Sequence, residues 1–234
     1  MRILRVDLPY GAELHGAVVV IDVLRSFTSA ACALARGASE VIAVESIAAA
    51  LAWRERDPMA FTLGALGGGA PAPGLDLGNS PSQLDALDLR GRRVVMFTAG
   101  GTRSLLDCSA HAGPLLAAAL VCAGATAAFL REHAPASVGL VVTGTWNDRD
   151  GDEDHACADL IEALLRGDDP PREPYEARVR QSDFGRRFAA GRDPHLPPAD
   201  LDCCASADRF DFAMAVQHAD GGVTIRRQRC RPRA

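Results

Sequence analysis

Short apolar runs rich in β-branched residues, each ending on a polar step and followed at once by helix-forming sequence, recur along this chain and constrain its fold most tightly. The sharpest is Val18-Val19-Val20-Ile21-Asp22-Val23-Leu24-Arg25-Ser26. Such a run is too short and too uniformly apolar for an amphipathic helix, and it reads as a strand buried on both faces. Further strands are expected over Ile3 to Leu8, Val41 to Val44, Phe61 to Leu63, Arg93 to Phe97, Leu115 to Leu120 and Val138 to Thr143. Helical sequence follows most of them, notably Phe27 to Ala35, Ile47 to Arg56, the stretch from Arg103, and the amphipathic Glu153 to Arg166. Repeated strand-then-helix order predicts an α/β protein with three α/β/α layers around a largely parallel central sheet. Residues 168 to 210 read as helix and loop, and Phe212 to His218 with Val223 to Arg227 as a closing hairpin. One domain is expected over residues 1–225, with 226–234 as a solvated basic tail.

Composition excludes whole chemistries. All 25 basic residues are arginine. Without lysine there is no Schiff base, no pyridoxal-phosphate site, no Walker P-loop and no lysine-assisted aspartyl phosphatase. A net charge of -5 disfavours a general nucleic-acid binder, which needs a positive face. The seven cysteines form no Cys-x-x-Cys pair and no zinc spacing, so they read as reduced thiols. No stretch of 18 or more apolar residues suggests a membrane span, and a cytoplasmic protein is expected.

Charged and hydroxyl residues at a buried strand's end need a reason, and in α/β proteins ligands bind there, beside the N-terminus of the next helix. Three segments have this character: Asp22 to Thr28, Thr98 to Ser104, and Gly78-Asn79-Ser80-Pro81-Ser82, which closes the long Gly/Pro stretch from Gly64 to Pro81. Arg25 and Arg103 are available to supply positive charge. Read from the residues alone, each segment is either an anion cradle or an ordinary cap and turn. The acidic run Asp148, Asp150, Asp152, Glu153, Asp154 precedes a helix, where carboxylates either complement the helix dipole or hold magnesium through hard oxygen ligands. Asp22 is the candidate partner carboxylate, or else one half of an arginine salt bridge. Trp146 and Asn147 either line a pocket or anchor their loop, and His155, beside the acidic run, is the histidine of interest.

Four blocks in this order resemble the signature of the 2-phosphosulfolactate phosphatase family: Ile21 to Thr28, Gly74 to Pro81, Thr98 to Thr102, and Glu153-Asp154 with Cys157-Ala158. The resemblance covers about residues 10 to 220. It implies a magnesium-dependent phosphatase, of a fold unrelated to the better-known phosphatases, that hydrolyses 2-phosphosulfolactate to sulfolactate and phosphate on a route to coenzyme M. By the same resemblance Asp22, Arg25 and Asp154 are catalytic, Asn79, Ser80, Thr98, Gly101 and Thr102 bind substrate, and Asp22, Glu153 and Asp154 surround Mg2+. A homodimer is implied as well. Two departures stand out: the family typically has Gly-Glu where this chain has Gly64-Ala65, and Thr-Asn-Gly-Thr where it has Ala99-Gly100-Gly101-Thr102. They keep open a second reading, an anion-binding relative with impaired catalysis.

Overall fold

The structure, a computed structural model, describes residues 1–7, 14–66, 69–144, 149–219 and 222–229. Leu8, Trp146, Asn147 and Asp148, and the chain beyond Arg229, lie outside the described residues.

Among the described residues nine strands form one sheet. They are β1 (Arg2–Asp7), β2 (Ala17–Ile21), β3 (Glu40–Ala43), β4 (Phe61–Ala65), β5 (Arg93–Thr98), β6 (Leu115–Ala118), β7 (Ser137–Val142), β8 (Phe212–Ala219) and β9 (Gly222–Arg229), in spatial order β1-β7-β2-β6-β8-β9-β3-β5-β4. β1-β7-β2-β6 is one parallel block and β3-β5-β4 another. Between them lie three consecutive antiparallel pairings, β6 with β8, β8 with β9, and β9 with β3. Three reversals leave the two blocks running in opposite directions, a topology that alternating strands and helices do not announce.

The basic stretch expected as tail begins inside this sheet. β9 runs to Arg229, paired residue by residue with β8, and Arg226 donates to Glu40 on β3 at 2.7 Å. Backbone pairing and a carboxylate partner thus hold residues that composition alone suggested were solvated.

Helices α1 (Ser26–Ala35), α2 (Ile47–Arg56), α3 (Pro81–Leu84), α4 (Gly101–Asp107), α5 (Ala123–His133) and α6 (Asp152–Arg166) alternate with the strands. The chain between β7 and β8 adds α7 (Glu173–Gln181), α8 (Asp183–Ala189) and α9 (Pro198–Cys204). α1 is buried along nine of its ten residues, Ser26 to Leu34. A helix buried all round must be lined by small side chains to approach its neighbours, and Ser26, Thr28, Ser29, Ala30, Ala31, Cys32 and Ala33 provide them. It packs against α3 and α4 as well as the sheet, so the turns at its N-terminus are fixed from several sides. Among the described residues no helix is long and apolar enough to cross a membrane.

Candidate active site

The ends of β2, β5 and β7 converge on a narrow cleft lined by Asp22, Arg25, Ser26, Asn79, Arg149, Glu153 and Asp154, with Ala65, Thr98 and Gly100 in its wall. Each polar group is placed by backbone that needs it there. Asp22 follows β2, and its Oδ1 accepts the Ser26 N–H at 2.9 Å while Oδ2 accepts the Ser26 hydroxyl at 2.6 Å. The carboxylate therefore caps α1 and remains a pocket wall. The Gly101 backbone N–H favours the charged form of Asp22 as well. A Cβ on residue 101 would stand 2.6 Å from Asp22 Oδ2 and 2.8 Å from Ser26 Cβ, so only glycine lets α4 approach this closely.

Thr98 and Thr102 close the β5 turn between themselves: Thr98 N–H donates to Thr102 Oγ1 at 2.9 Å, and Thr102 N–H to Thr98 Oγ1 at 3.1 Å. The Ser26 hydroxyl lies 3.0 Å from Thr98 Oγ1, which joins this turn to the first. Thr102 and Gly101 shape the cradle; the pocket itself is lined by Thr98, Ala99 and Gly100.

The acidic run divides. Asp150 accepts the backbone N–H groups of Asp152 and Asp183, and Asp152 pairs with Arg178 at 2.5 Å, so these two act as cap and surface ion pair. Glu153 and Asp154 turn inward, each 2% exposed. Asp154 Oδ1 accepts the Val23 N–H at 2.7 Å, and Oδ2 accepts the Thr143 N–H at 3.1 Å and hydroxyl at 3.2 Å. Both its oxygens are committed to holding the ends of β2 and β7 together. Glu153 Oε2 is buried with no hydrogen-bond partner, as is Asn79 Oδ1. Among the described residues no three His, Cys, Asp or Glu side chains converge as a metal-ligand cluster.

Burial drives the electrostatics. It pushes the carboxyls of Asp22 and Glu153 above their ordinary values, and that of Asp154 well above, where the neighbouring charges of Asp22 and Glu153 add to the desolvation. Opposing this, the positive charge of Arg149 acts on both Asp22 and Glu153.

Arg25 lines the cleft, yet its guanidinium is heavily engaged. It pairs with Asp200 at 2.6 Å, both side chains almost fully buried, and it donates to the His195 carbonyl at 3.0 Å while lying over the Phe188 ring at 5.2 Å. Asp200 also accepts the Ser80 hydroxyl at 2.7 Å, the Ser82 hydroxyl at 2.5 Å and the Ser82 N–H at 3.0 Å. Ser80 further accepts the Gln83 N–H as the cap of α3. The Gly-Asn-Ser-Pro turn is thus stapled to Arg25 through one carboxylate from α9, leaving Asn79 as the member that faces the cleft with an unsatisfied oxygen. Asp76, in the same block, accepts the Thr62 N–H and hydroxyl at 2.8 Å each and ties the long loop to β4.

Arg103, a candidate for charge, instead pairs with Asp107 on the exposed face of α4. His155 is absent from the cleft lining. Arg149, Thr143, Phe184 and Asp200 belong to the site or its support without having been singled out in the sequence. Arg149 lies within the acidic run and Thr143 beside the loop that leads to it, a usable signal, whereas nothing local marks Phe184 or Asp200.

An α/β layered protein whose strand ends enclose buried carboxylates, an amide oxygen and arginine has the construction of an enzyme for small anionic esters. The family model for 2-phosphosulpholactate phosphatase matches residues 4–219, and the chain belongs to that family. A probable 2-phosphosulfolactate phosphatase of Deinococcus radiodurans is 38% identical over 162 residues, covering 69% of this chain and 67% of its own. Another of that name from Synechococcus sp. is 35% identical over 217 residues, covering 82% and 85%.

Proposed function

We propose that the chain hydrolyses 2-phosphosulfolactate, or a closely related small phosphomonoester, to the free acid and phosphate, with Mg2+ held by the acidic cleft. The observation that carries this reading is the pair of buried oxygens without a hydrogen-bond partner, Glu153 Oε2 and Asn79 Oδ1, on two residues that line a cleft also holding Asp22. An unsatisfied buried acceptor costs free energy of about 1–3 kcal/mol, and a hard cation that takes oxygen ligands removes that cost. Glu153, Asn79 and Asp22 would hold the ion. Bound there, it would offset negative charge building on the transferred phosphoryl group.

The rest is the work of the chain's own residues. Asp154, held by two backbone N–H groups and the Thr143 hydroxyl, fixes the cleft floor by clamping β2 to β7. Ser26 and the Thr98 turn keep Asp22 in one orientation. Asp22, whose two oxygens accept the Ser26 N–H and hydroxyl, lines the cleft that an attacking water would share, and Arg149 balances its charge. The protein is expected to act in the cytoplasm as a homodimer on the route to coenzyme M.

Desolvation gives the reading a pH signature. A carboxyl whose folded pKa is raised keeps its proton after the unfolded chain has lost it. Stability from the protonated folded form is therefore complete below the ordinary carboxylate range of about 4 and is lost as pH rises toward the raised values. Metal-free protein should accordingly become less stable from about pH 4 upward, and Mg2+, which displaces those protons, should raise the melting temperature more at pH 8 than at pH 5. Thermal melts with and without EDTA check this; equal shifts at both pH values would remove the cluster from the metal site.

One observation favours the second reading, an anion-binding relative with impaired catalysis. Ala65 and Gly100, the two departures from the family pattern, both line the cleft. Restoring Ala65→Glu with Gly100→Asn discriminates the two. A rise in phosphate release of about a hundredfold or more would mean the site had lost a group worth a general acid or base. No gain beside measurable wild-type turnover would mean the present residues suffice.

A further inference from the structure

Positive charge in and around the cleft is mostly committed. Arg25 is buried against Asp200, and the charge of Arg149 acts on the carboxylates of Asp22 and Glu153. Nearby, Arg103 pairs with Asp107 and Arg186 with Asp183. Arg187 and Arg192 differ. Both are exposed, and among the described residues neither makes an ion pair or a side-chain hydrogen bond. They line one surface hollow beside α8, whose remaining carboxylate, Asp193, accepts the His195 N–H at 2.9 Å. Arg187 marks where this hollow meets the cleft, since its guanidinium carbon lies 5.1 Å from the centroid of the Phe184 ring and that ring lines the cleft. Phe188, one turn further along α8, packs edge-on to Phe184 at 5.1 Å, so the platform under Arg187 is braced.

A substrate carrying phosphate, sulfonate and carboxylate approaches a chain of net charge -5 and a cleft lined by Asp22, Glu153 and Asp154. Solvent-facing charges act over about 8–10 Å at ordinary ionic strength and concentrate ions of opposite sign at the surface that bears them. We propose that Arg187, with Arg192 beside it, forms a cationic rim whose field draws the multiply anionic substrate into the cleft, without a fixed hydrogen bond. This rests on the phosphatase reading above. The preference it creates grows with the negative charge of the ester.

The test is steady-state phosphate release by Arg187→Ala, Arg187→Lys, Arg187→Glu and Arg192→Ala on 2-phosphosulfolactate and on 2-phospholactate, which lacks the sulfonate, at low and at high ionic strength. At low salt Arg187→Ala should raise KM for 2-phosphosulfolactate about 5- to 10-fold, with a smaller effect on kcat, and Arg187→Glu about 30- to 60-fold. The rise should be smaller for 2-phospholactate. Near 1 M salt, where screening shortens the range to about 3 Å, variant and wild type should agree within about twofold. Lysine should restore the wild-type KM, because a field needs charge and not the guanidinium fork. Arg192→Ala should act in the same direction and add to Arg187→Ala, as separate charges do.

KM values for Arg187→Ala and Arg187→Glu within about twofold of wild type at low salt would overturn the proposal. So would a rise that persists at high salt or that lysine does not reverse, either of which would make Arg187 a packing or directly bonding group. Should the wild type release no phosphate, the phosphatase reading fails, and melting-temperature shifts with 2-phosphosulfolactate at low salt decide the inference separately. A shift in wild type that is lost in Arg187→Glu sustains the rim, whereas a shift kept in the variant, or none in either protein, overturns it.

Discussion

Asp22→Asn is expected to lower kcat/KM on 2-phosphosulfolactate by about a thousandfold while leaving the protein folded and no less stable. The carboxylate is the one acidic group of the cleft that both faces the substrate space and sits on the β2–α1 turn, where Ser26 and Gly101 hold it. Asparagine keeps an oxygen for the Ser26 N–H and preserves the α1 cap, but it removes the charge that would serve a metal and a water. Loss of a positioned acid or base group alone costs about 10²- to 10⁴-fold. Stability should move the other way, because Asp22 is one of the charges that push Asp154 upward. Relieving buried like-charge repulsion at a catalytic cluster commonly stabilises a protein at the expense of activity. Kinetics and a thermal melt on the same preparation test both halves. Retention of more than a tenth of the activity would assign Asp22 to capping alone.

Asp200→Ala should be the most destabilising single change in the site. It leaves Arg25 buried without its counter-ion and frees three donors from Ser80 and Ser82 at once. Breaking a buried pair by removing one partner costs about 3–5 kcal/mol, which for a chain of this size corresponds to a melting temperature lower by about 6–20 °C. Ser82→Ala, which removes one arm and keeps the ion pair, should cost only about 1–3 kcal/mol. A melt of Asp200→Ala within about 2 °C of wild type would show that the ion pair contributes nothing net.

These two residues mark how far the sequence carries. Asp22 was legible because a buried strand that ends on a charge and opens a helix can be read locally. The Thr98 turn was visible because hydroxyl and glycine residues stand between a strand and a helix, and the Gly-Asn-Ser-Pro turn because it closes a long Gly/Pro stretch. Asp200 was not, since its partner Arg25 lies 175 residues away and no local pattern distinguishes it from any helix-capping aspartate. Arg25 accordingly looked like a substrate ligand, because the sequence shows an arginine beside an anion-binding turn and not the carboxylate that occupies it. Within the acidic run, spacing alone left capping and metal binding equally open; the register of α6 turns Asp152 to Arg178 and Glu153 with Asp154 to the cleft.

The layered α/β architecture followed from strand-then-helix order, but the reversal between the two parallel blocks did not. That reversal comes from the β8–β9 hairpin inserting between strands formed much earlier in the chain, a long-range pairing that hydrophobic periodicity does not encode. The same insertion explains the arginines of β9. Read as composition they resemble a solvated tail; in the structure Arg226, Arg227 and Arg229 extend a central strand as exposed residues, and Arg226 alone reaches the carboxylate of Glu40.

The most direct test of the central claim is phosphate release by the wild-type protein from 2-phosphosulfolactate at neutral pH, with Mg2+ and with EDTA, beside 2-phospholactate. Release that requires Mg2+ and prefers the sulfonated ester is the predicted result; no release from either ester under any metal condition would contradict it.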